Sequence, residues 1–310
     1  MVEQPLAERR YPDFFIVGAP RSGTTFMYEY LGRHPRIFMP ERKEPGFMCT
    51  DLDSGGYLDS LSFMRSADEY LDLFAEAPPG SLTGEGSTWY LFSTMAARRI
   101  RASNPRARAI IMLRDPAEML YSLHERRIYG GSEDLQRFED ALAAEEDRRE
   151  GRRIPAHARN IKAFQYREMG RYSAQVKRYL DVFGGSDVCI LIFEDFRHDP
   201  HRAYEEVVRF LGLEPVSIEA TVVNASARRT SPLLRRLMLT PALVRLTRSI
   251  IPKRLHSRVG PAMDRLTTRS STRPPMEEAT RRLLRQDLRE DVVRLSELLD
   301  RDLVARWGYR

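Results

Sequence analysis

The segment FFIVGAPRSGTTFMYEYL (Phe14–Leu31) decides the fold of this chain. A short apolar strand runs into a turn of small residues, and an amphipathic helix follows the turn. Gly18, Gly23 and Thr25 stand where a nucleotide-triphosphate loop of the form G-x-x-x-x-G-K-[ST] has its glycines and its hydroxyl. Thr24 occupies the lysine position of that loop, which weakens the case for metal-assisted phosphoryl transfer.

The turn nevertheless has the geometry of an anion site. Backbone N–H groups of small residues converge there, and the helix that follows adds the positive end of its dipole. Arg21, inside the turn, carries a forked guanidinium that suits a terminal anionic group. The alternative is a tight strand-to-helix turn without a ligand.

A second segment, RAIIMLRDPAEMLYSL (residues 108–123), predicts another anion site at the same sheet edge. Arg114 ends an apolar strand, and Ser122 lies about two turns into the helix that begins near Pro116. A guanidinium and a hydroxyl placed in this way suit a second phosphate. The alternative is a plain strand end whose Asp115 caps the helix.

Short apolar runs alternate with helical patterns along the first two thirds of the chain, which predicts a P-loop-like α/β fold: a central parallel β-sheet flanked by helices. Ligands of such sheets bind at the carboxyl ends of the strands. The predicted strands are Phe14–Val17, Ile37–Met39, Leu82–Gly84, Ala109–Leu113 and Val188–Phe193, and the predicted helices are Thr24–Arg33, Ala67–Glu76, Ala117–Ile128 and Ala163–Phe183.

The 310 residues suit one domain with an α/β core over residues 12–215. Beyond residue 195 the pattern predicts helices only: a basic, lid-like segment over 220–275 and a C-terminal helix within 276–310. Ala220–Met263 holds nine basic and no acidic residues. This segment suits a solvated helical face or a lid over an anionic cofactor. Its prolines keep the helices short, which disfavours a membrane surface.

The composition limits the partners. The net charge is +6, but only four of the fifty basic residues are lysines, so arginine is the default cation and nucleic acid is not expected. The apolar runs are too short to span a bilayer, which favours a cytoplasmic protein. Two cysteines and six scattered histidines lack metal-ligand spacing, so no metal is expected.

Five motifs together resemble a known family. GAPRSGTT, ERKEPGFM, GEGSTWYL, LRDPAEMLYS and LIFEDF, in this order and spacing, are similar to sulfotransferases that use 3′-phosphoadenosine 5′-phosphosulfate (PAPS), above all bacterial members and the domains that modify heparan sulfate. The resemblance covers about residues 12–215. It implies sulfuryl transfer from PAPS, without a metal, to a hydroxyl or less readily an amine of a small molecule, glycan or lipid.

The resemblance also implies roles for single residues. Arg21 would neutralise the bridging oxygen as the sulfuryl group leaves, and Arg114 and Ser122 would hold the 3′-phosphate. The residues that match the 5′-phosphosulfate loop are Arg21, Ser22, Gly23, Thr24 and Thr25. A looser match, NASARRTSPLLRR, suggests phosphate contacts from Arg228 and Arg229.

The acceptor side follows from the second motif of the family. Glu44 matches the catalytic glutamate of the heparan sulfate enzymes and is the candidate general base, whereas the alternative is a surface charge ahead of Pro45. Lys43, a rare lysine beside it, joins the candidate catalytic set. These enzymes commonly have a lysine after the glutamate of the third motif, but here Gly86 follows Glu85, so a contact made by that lysine is not expected.

Other interpretations remain open on the sequence alone. One is a P-loop kinase with a degenerate loop. Another is a non-catalytic anion-binding module that uses the basic segment on nucleic acid or membrane. The acidic pair Glu194-Asp195 in LIFEDF resembles the magnesium-binding acid of ATPases, but here it is expected to end a strand and cap the next turn.

Overall fold

The computed structural model describes residues 10–53, 63–156, 158, 161–217, 227–229, 268–270 and 275–310. The chain divides into two compact units. The first comprises Met1–Ala220 and Met276–Arg310, and the second comprises Thr221–Pro275.

The first unit is built on a five-stranded sheet in the order β2-β3-β1-β4-β5, and every neighbouring pair in it is parallel. The predicted parallel α/β fold is therefore confirmed. The central strand β1 lies between β3 and β4, so the loops that follow these three strands meet at one edge. The strands are β1 (Phe14–Gly18), β2 (Ile37–Phe38), β3 (Leu82–Gly86), β4 (Arg108–Leu113) and β5 (Val188–Ile192).

Helices connect the strands and cover both faces of the sheet. Shorter 3-10 turns occur at Thr50–Leu52, Ile161–Phe164 and Gly185–Asp187. The α-helices are α1 (Thr24–Leu31), α2 (Ala67–Asp72), α3 (Ala96–Ser103), α4 (Pro116–Gly130), α5 (Phe138–Ala143), α6 (Glu145–Arg149), α7 (Tyr166–Gly170), α8 (Tyr172–Phe183), α9 (Phe193–His198), α10 (Pro200–Phe210), α11 (Glu278–Leu299) and α12 (Leu303–Trp307).

The sheet carries an apolar layer on each face. In β1, Phe15 and Val17 pack into one cluster and Phe14 and Ile16 into the other, and all four are fully buried. Burial on both faces explains why the strand is an unbroken apolar run. Helices α1 and α10 complete the Phe14 side, whereas α8 and α11 complete the Phe15 side.

The C-terminal helices belong to the first unit. Helix α11, which lies within the predicted C-terminal helix, has an apolar stripe that is buried against the core at Leu284, Leu288, Val292 and Leu295. The helix ends at Asp300, whose φ of 49° is left-handed, and α12 follows. The predicted C-terminal helical region is thus confirmed, although it consists of two helices.

Two predictions of local structure are wrong. The single helix predicted over Ala163–Phe183 is divided into a 3-10 turn, α7 and α8. The helices-only prediction beyond residue 195 fails at β6 (Ala227–Arg229) and β7 (Thr268–Ser270), which pair antiparallel in the second unit. Serine and threonine flank both strands, and these side chains compete for backbone hydrogen bonds outside helices. The apolar spacing that suggested helices, residues 231–251, lies outside the described residues.

Candidate active site

The first residue of the β1–α1 turn (residues 19–23) is hydrogen-bonded to the sheet. The Ala19 N–H donates to the Met112 carbonyl of β4 at 2.7 Å, which fixes the turn beside the neighbouring strand. Gly23 has a φ of 86°, a left-handed conformation that favours glycine, and it caps α1. The amides of Thr24 and Thr25 open the helix, where no preceding helical carbonyl is available to them. The turn therefore presents N–H donors at the carboxyl edge of the sheet.

The hydroxyl side chains predicted to hold phosphate face different surroundings. Ser22 is fully buried, and its hydroxyl donates to the Pro20 carbonyl within the turn at 3.4 Å. Thr24 is also buried, whereas Thr25 is exposed at the start of α1. The Thr25 side chain is thus the more accessible of the three.

Three of the predicted anion-binding residues meet at the edge of the sheet. Arg21 Nε donates to Ser122 Oγ at 3.1 Å, although the two residues are 101 positions apart. Arg114 Nη1 donates to the Arg21 carbonyl at 3.4 Å. The two predicted anion sites are therefore adjacent and share these contacts.

The Arg114 side chain is held on several sides. Its guanidinium carbon lies 4.9 Å from the centre of the Phe193 ring, and Nη2 lies 3.8 Å from a Glu118 oxygen one turn further along α4. Arg281 of α11 donates to the same carboxylate at 3.2 Å. The orientation of Arg114 thus depends on the start of α9, on α4 and on the C-terminal helix α11.

The C-terminal segment also supports the turn between β4 and α4. Asp115 caps α4 by accepting the Ala117 N–H at 3.0 Å, the cap that belonged to the alternative of a plain strand end. Tyr309 donates its hydroxyl to the same carboxylate at 3.0 Å, and Arg285 lies 3.5 Å from it. Burial raises the pKa of Asp115 above its ordinary value, while the Tyr309 hydrogen bond opposes that shift.

The acidic pair Glu194-Asp195, just after β5, makes structural contacts that the sequence did not suggest. Glu194 accepts the Trp307 indole N–H at 3.1 Å, and Asp195 forms an ion pair with Arg306. Neither carboxylate caps α9, so the predicted cap is wrong. Both instead attach α12 to the sheet edge.

Glu44 lies in the loop that follows β2, here termed the Glu44 loop (residues 39–48). Its N–H donates to the Gly86 carbonyl at the end of β3, at 2.9 Å. Its carboxylate accepts the Thr88 N–H at 2.8 Å, the Thr88 hydroxyl at 3.1 and 3.2 Å, and Lys43 Nζ at 2.8 Å. About a third of the Glu44 side chain, 36%, is exposed. The carboxylate is held by donors and still reaches solvent.

Gly86 allows the Glu44 loop to approach the sheet. A Cβ at this position would lie 2.7 Å from Tyr28 Cδ2, and the Tyr28 hydroxyl is fixed by donating to the Pro40 carbonyl. Lys43 Nζ lies 5.9 Å from the centre of the Tyr28 ring. The space that a larger residue would need at position 86 is thus filled by Tyr28, and Lys43 lies next to it.

Glu85 is a buried acid whose surroundings were not apparent from the sequence. The hydroxyls of Tyr70 and Tyr90 donate to its Oε2 at 2.9 and 2.8 Å, and within the described residues Oε1 has no hydrogen-bond partner. Burial raises the pKa of Glu85 to about 7, against the lowering effect of the nearby hydroxyls of Ser87, Tyr90 and Tyr70. The Tyr90 hydroxyl also accepts the Met48 N–H at 3.2 Å, so this cluster anchors the Glu44 loop.

The remaining predictions concern Arg228 and Arg229, metal binding and membrane-spanning helices. Arg228 and Arg229 lie on β6, paired with Arg269 and Thr268 of β7, and their phosphate contacts stay a prediction. Within the described ranges, no group of histidine, cysteine and acidic residues is arranged to hold a metal ion. Among the helices of the same ranges, none is long and apolar enough to cross a membrane.

A family model described as the sulfotransferase domain matches residues 11–233, more than half of the chain. The chain belongs to the sulfotransferase family. The parallel sheet of this sulfotransferase and the turn after β1 fall within the matched residues.

The curated proteins and the solved structure that resemble this chain are also named sulfotransferases. This sulfotransferase is 28% identical over 214 residues to the human bifunctional heparan sulfate N-deacetylase/N-sulfotransferase 3. It is 26% identical over 216 residues to the mouse bifunctional heparan sulfate N-deacetylase/N-sulfotransferase 4. Each match covers 66% of this chain but only 23% and 22% of those relatives, less than a quarter of their length. The crystal structure of a sulfotransferase from Alicyclobacillus acidocaldarius is similar with a TM-score of 0.72 and 29% identity, over 96% of this chain and 99% of that one.

Proposed function

We propose that this sulfotransferase moves the sulfuryl group of PAPS to a hydroxyl, in preference to an amine, of a small molecule, glycan or lipid. The observation that carries the proposal is the contact between Arg21 and Ser122, with Arg114 beside them. A nucleotide with a 5′-phosphosulfate and a 3′-phosphate needs two anion sites side by side. Strands β1 and β4 are neighbours, so the spacing of about 5 Å between adjacent strands suits that need.

The residues of the β1–α1 turn fit such a donor. A Cβ at Gly23 would lie 2.9 Å from Phe196 Cε1, so glycine keeps this part of the turn narrow. The amides of Thr24 and Thr25 and the helix dipole favour a phosphate, and Arg21 adds a full positive charge. We expect these groups to hold the 5′ end and Arg114 with Ser122 to hold the 3′ end.

PAPS, when bound, supplies an activated sulfuryl group on a phosphate leaving group. Arg21 and the amides of Thr24 and Thr25 neutralise the charge that grows on that phosphate. Glu44 takes the proton of the acceptor hydroxyl as the acceptor oxygen attacks sulfur. Positioning and charge stabilisation then provide the rate, as in other transfers with a loose in-line transition state.

The names of the curated relatives bear on the acceptor class. They place heparan sulfate among the substrates of those proteins, which favours a glycan for this chain as well. The same names specify N-sulfation, so an amine of a glycan is the alternative to the proposed hydroxyl. A screen with labelled PAPS against alcohols, glycans and lipids, read by the mass of the sulfated product, would identify the acceptor. A product from an amine alone would contradict the proposed preference for hydroxyls.

Donor binding is the first test. We expect 3′,5′-diphosphoadenosine to raise the melting temperature of the full chain without magnesium. No shift at saturating ligand would refute the proposal. Tighter binding of ATP with magnesium would favour a kinase, and steeply salt-dependent binding to nucleic acid or anionic vesicles without a nucleotide effect would favour an anion-binding module.

The base is tested separately. Glu44→Gln should retain the shift in melting temperature and lower turnover by about 10² to 10⁴, the usual contribution of a general base. Glu41→Gln is the matched control, because it makes the same chemical change at an exposed position of the same loop. Full activity of Glu44→Gln would exclude Glu44 as the base.

A further inference from the structure

Among the described residues, Thr88 makes most of the contacts of the Glu44 carboxylate. Its N–H donates to Oε2 at 2.8 Å, and its hydroxyl lies 3.1 and 3.2 Å from the two carboxylate oxygens. Thr88 is only 7% exposed and lies two residues beyond the end of β3. These donors therefore have positions set by the sheet.

Apart from Thr88, the described contacts of Glu44 do not fix the direction of its carboxylate. Its φ of 61° is left-handed, an uncommon conformation for a glutamate, and its N–H is bound to the Gly86 carbonyl. The third donor to the carboxylate, Lys43 Nζ, ends a flexible side chain with rotatable N–H groups, so it adds charge without fixing a direction. Direction must come from Thr88.

The number of donors leaves room for an acceptor. An ionised carboxylate offers about four lone-pair sites. Among the described residues, Lys43 and the N–H and hydroxyl of Thr88 supply three donors to Glu44. One site is then left for an incoming hydroxyl, and its direction depends on where Thr88 holds the carboxylate.

We propose that Thr88 is a positioning residue of the transfer reaction, whose hydroxyl aims the Glu44 carboxylate at the acceptor hydroxyl. The inference rests on the proposed function, because it assigns Glu44 the part of the base. Without the hydroxyl, the N–H of Thr88 still binds one oxygen, and the carboxylate turns about that single contact. Fewer orientations are then within reach of the acceptor proton.

Thr88→Val removes the hydroxyl and keeps the shape. We expect kcat to fall on the order of tenfold, whereas KM for PAPS and the melting shift with 3′,5′-diphosphoadenosine stay at the wild-type values. Thr88→Ser, which retains the hydroxyl, should recover most of the lost kcat. An unchanged kcat in Thr88→Val, or a loss that serine does not recover, would overturn the positioning part.

Thr83→Val is the matched control. Thr83 makes the same pair of contacts on Asp13, with its N–H at 2.8 Å and its hydroxyl at 3.1 Å, but it lies near the start of β3, at the opposite edge of the sheet. The same loss of a hydroxyl there should leave kcat unchanged. An equal fall in both variants would assign the effect to general destabilisation.

A double variant tests the coupling directly. In a Glu44→Gln background, Thr88→Val should cause no further fall in kcat, because residues that act as a unit are not additive. Additive losses would overturn the proposal. If the wild-type chain forms no sulfated product, the proposed function has failed by itself. A crystal structure of Thr88→Val in which Glu44 keeps its wild-type orientation would then overturn the positioning role independently.

Discussion

The two loops of the candidate active site are fixed by different means. The β1–α1 turn continues the central strand of the sheet, and main-chain contacts such as Ala19 to Met112 hold it. The Glu44 loop lies outside the sheet, and Glu44 is held by Lys43 and Thr88. Donor binding should thus depend on the buried sheet, whereas the proposed base, Glu44, should depend on a few hydrogen bonds that single substitutions remove.

This difference predicts that binding and turnover are separable. Changes at the β1–α1 turn or at Arg114 should weaken nucleotide binding. Changes around the Glu44 loop should leave nucleotide binding intact and affect turnover or local stability. The following variants test that separation, from the largest expected effect to the smallest.

Arg114→Ala should have the largest effect. Loss of charge-assisted contacts to a 3′-phosphate is expected to weaken the binding of 3′,5′-diphosphoadenosine on the order of a thousandfold, about 4 kcal/mol. Binding of adenosine 5′-phosphosulfate, which lacks the 3′-phosphate, should change little. Titration calorimetry with both ligands measures the two affinities.

Arg209→Ala is the control for that variant, because the contact of the Arg209 side chain among the described residues is an exposed ion pair with Glu205 on α10. It should bind both nucleotides like the wild type. An equal loss of both ligands in Arg114→Ala would mean that Arg114 supports the turn rather than the 3′-phosphate.

Glu85 belongs to the cluster that anchors the Glu44 loop, and its ionisation should make the stability of the protein depend on pH. Its pKa of about 7 lies above the ordinary 4.5. Between these values the folded state binds more protons, so its contribution to stability is complete below pH 4.5 and is lost as the pH rises through 7. We expect a loss on the order of 3 kcal/mol across this window.

Glu85→Gln should remove that loss, since glutamine does not ionise. Urea unfolding of the wild type and the variant at pH 5 and pH 7.5 measures the difference in the free energy of unfolding. Glu41→Gln again serves as the control and should keep the wild-type pH dependence. The same pH dependence in Glu85→Gln and the wild type would show that Glu85 does not carry the effect.

Gly86→Ala should have the smallest effect. The added Cβ would lie 2.7 Å from Tyr28 Cδ2, and such overpacking costs about 1 to 2 kcal/mol of stability. Because the Gly86 carbonyl holds Glu44, turnover should fall as well, while nucleotide binding remains. Thermal unfolding and nucleotide titration of the variant check both expectations.

Gly185→Ala is the matched control, because a Cβ at Gly185 would meet no atom within 4 Å. It should unfold like the wild type. A normal stability for Gly86→Ala would show that Tyr28 can move aside, and the close approach of the Glu44 loop would not depend on glycine.

Much of the fold could be read from local patterns. The five strands of the sheet lie within two residues of the predicted bounds, because unbroken apolar runs mark strands that are buried on both faces. The apolar stripe of α11 was equally readable. The strands β6 and β7 were missed, since three-residue strands rich in arginine, serine and threonine carry no apolar alternation.

Local patterns also predict that Arg114 and Ser122 of the candidate site lie near each other. Arg114 and Ser122 were placed together because both follow from one strand end and one helix. Nothing local indicated that Thr88 would hold Glu44, 44 positions away, or that Arg281 would bind Glu118 from 163 positions away. Pairings of this kind leave no periodic signal in the sequence.

The sequence by itself determined the parallel sheet, the turn after β1 and the edge at which ligands are expected, because these follow from short-range apolar spacing and from glycine at a tight turn. Only the tertiary structure decided what surrounds that edge. It placed Arg21 on Ser122, Glu44 on Thr88 and Tyr309 on Asp115. Side-chain hydrogen bonds between distant segments depend on how the whole chain packs, so their partners are fixed only once the core has formed.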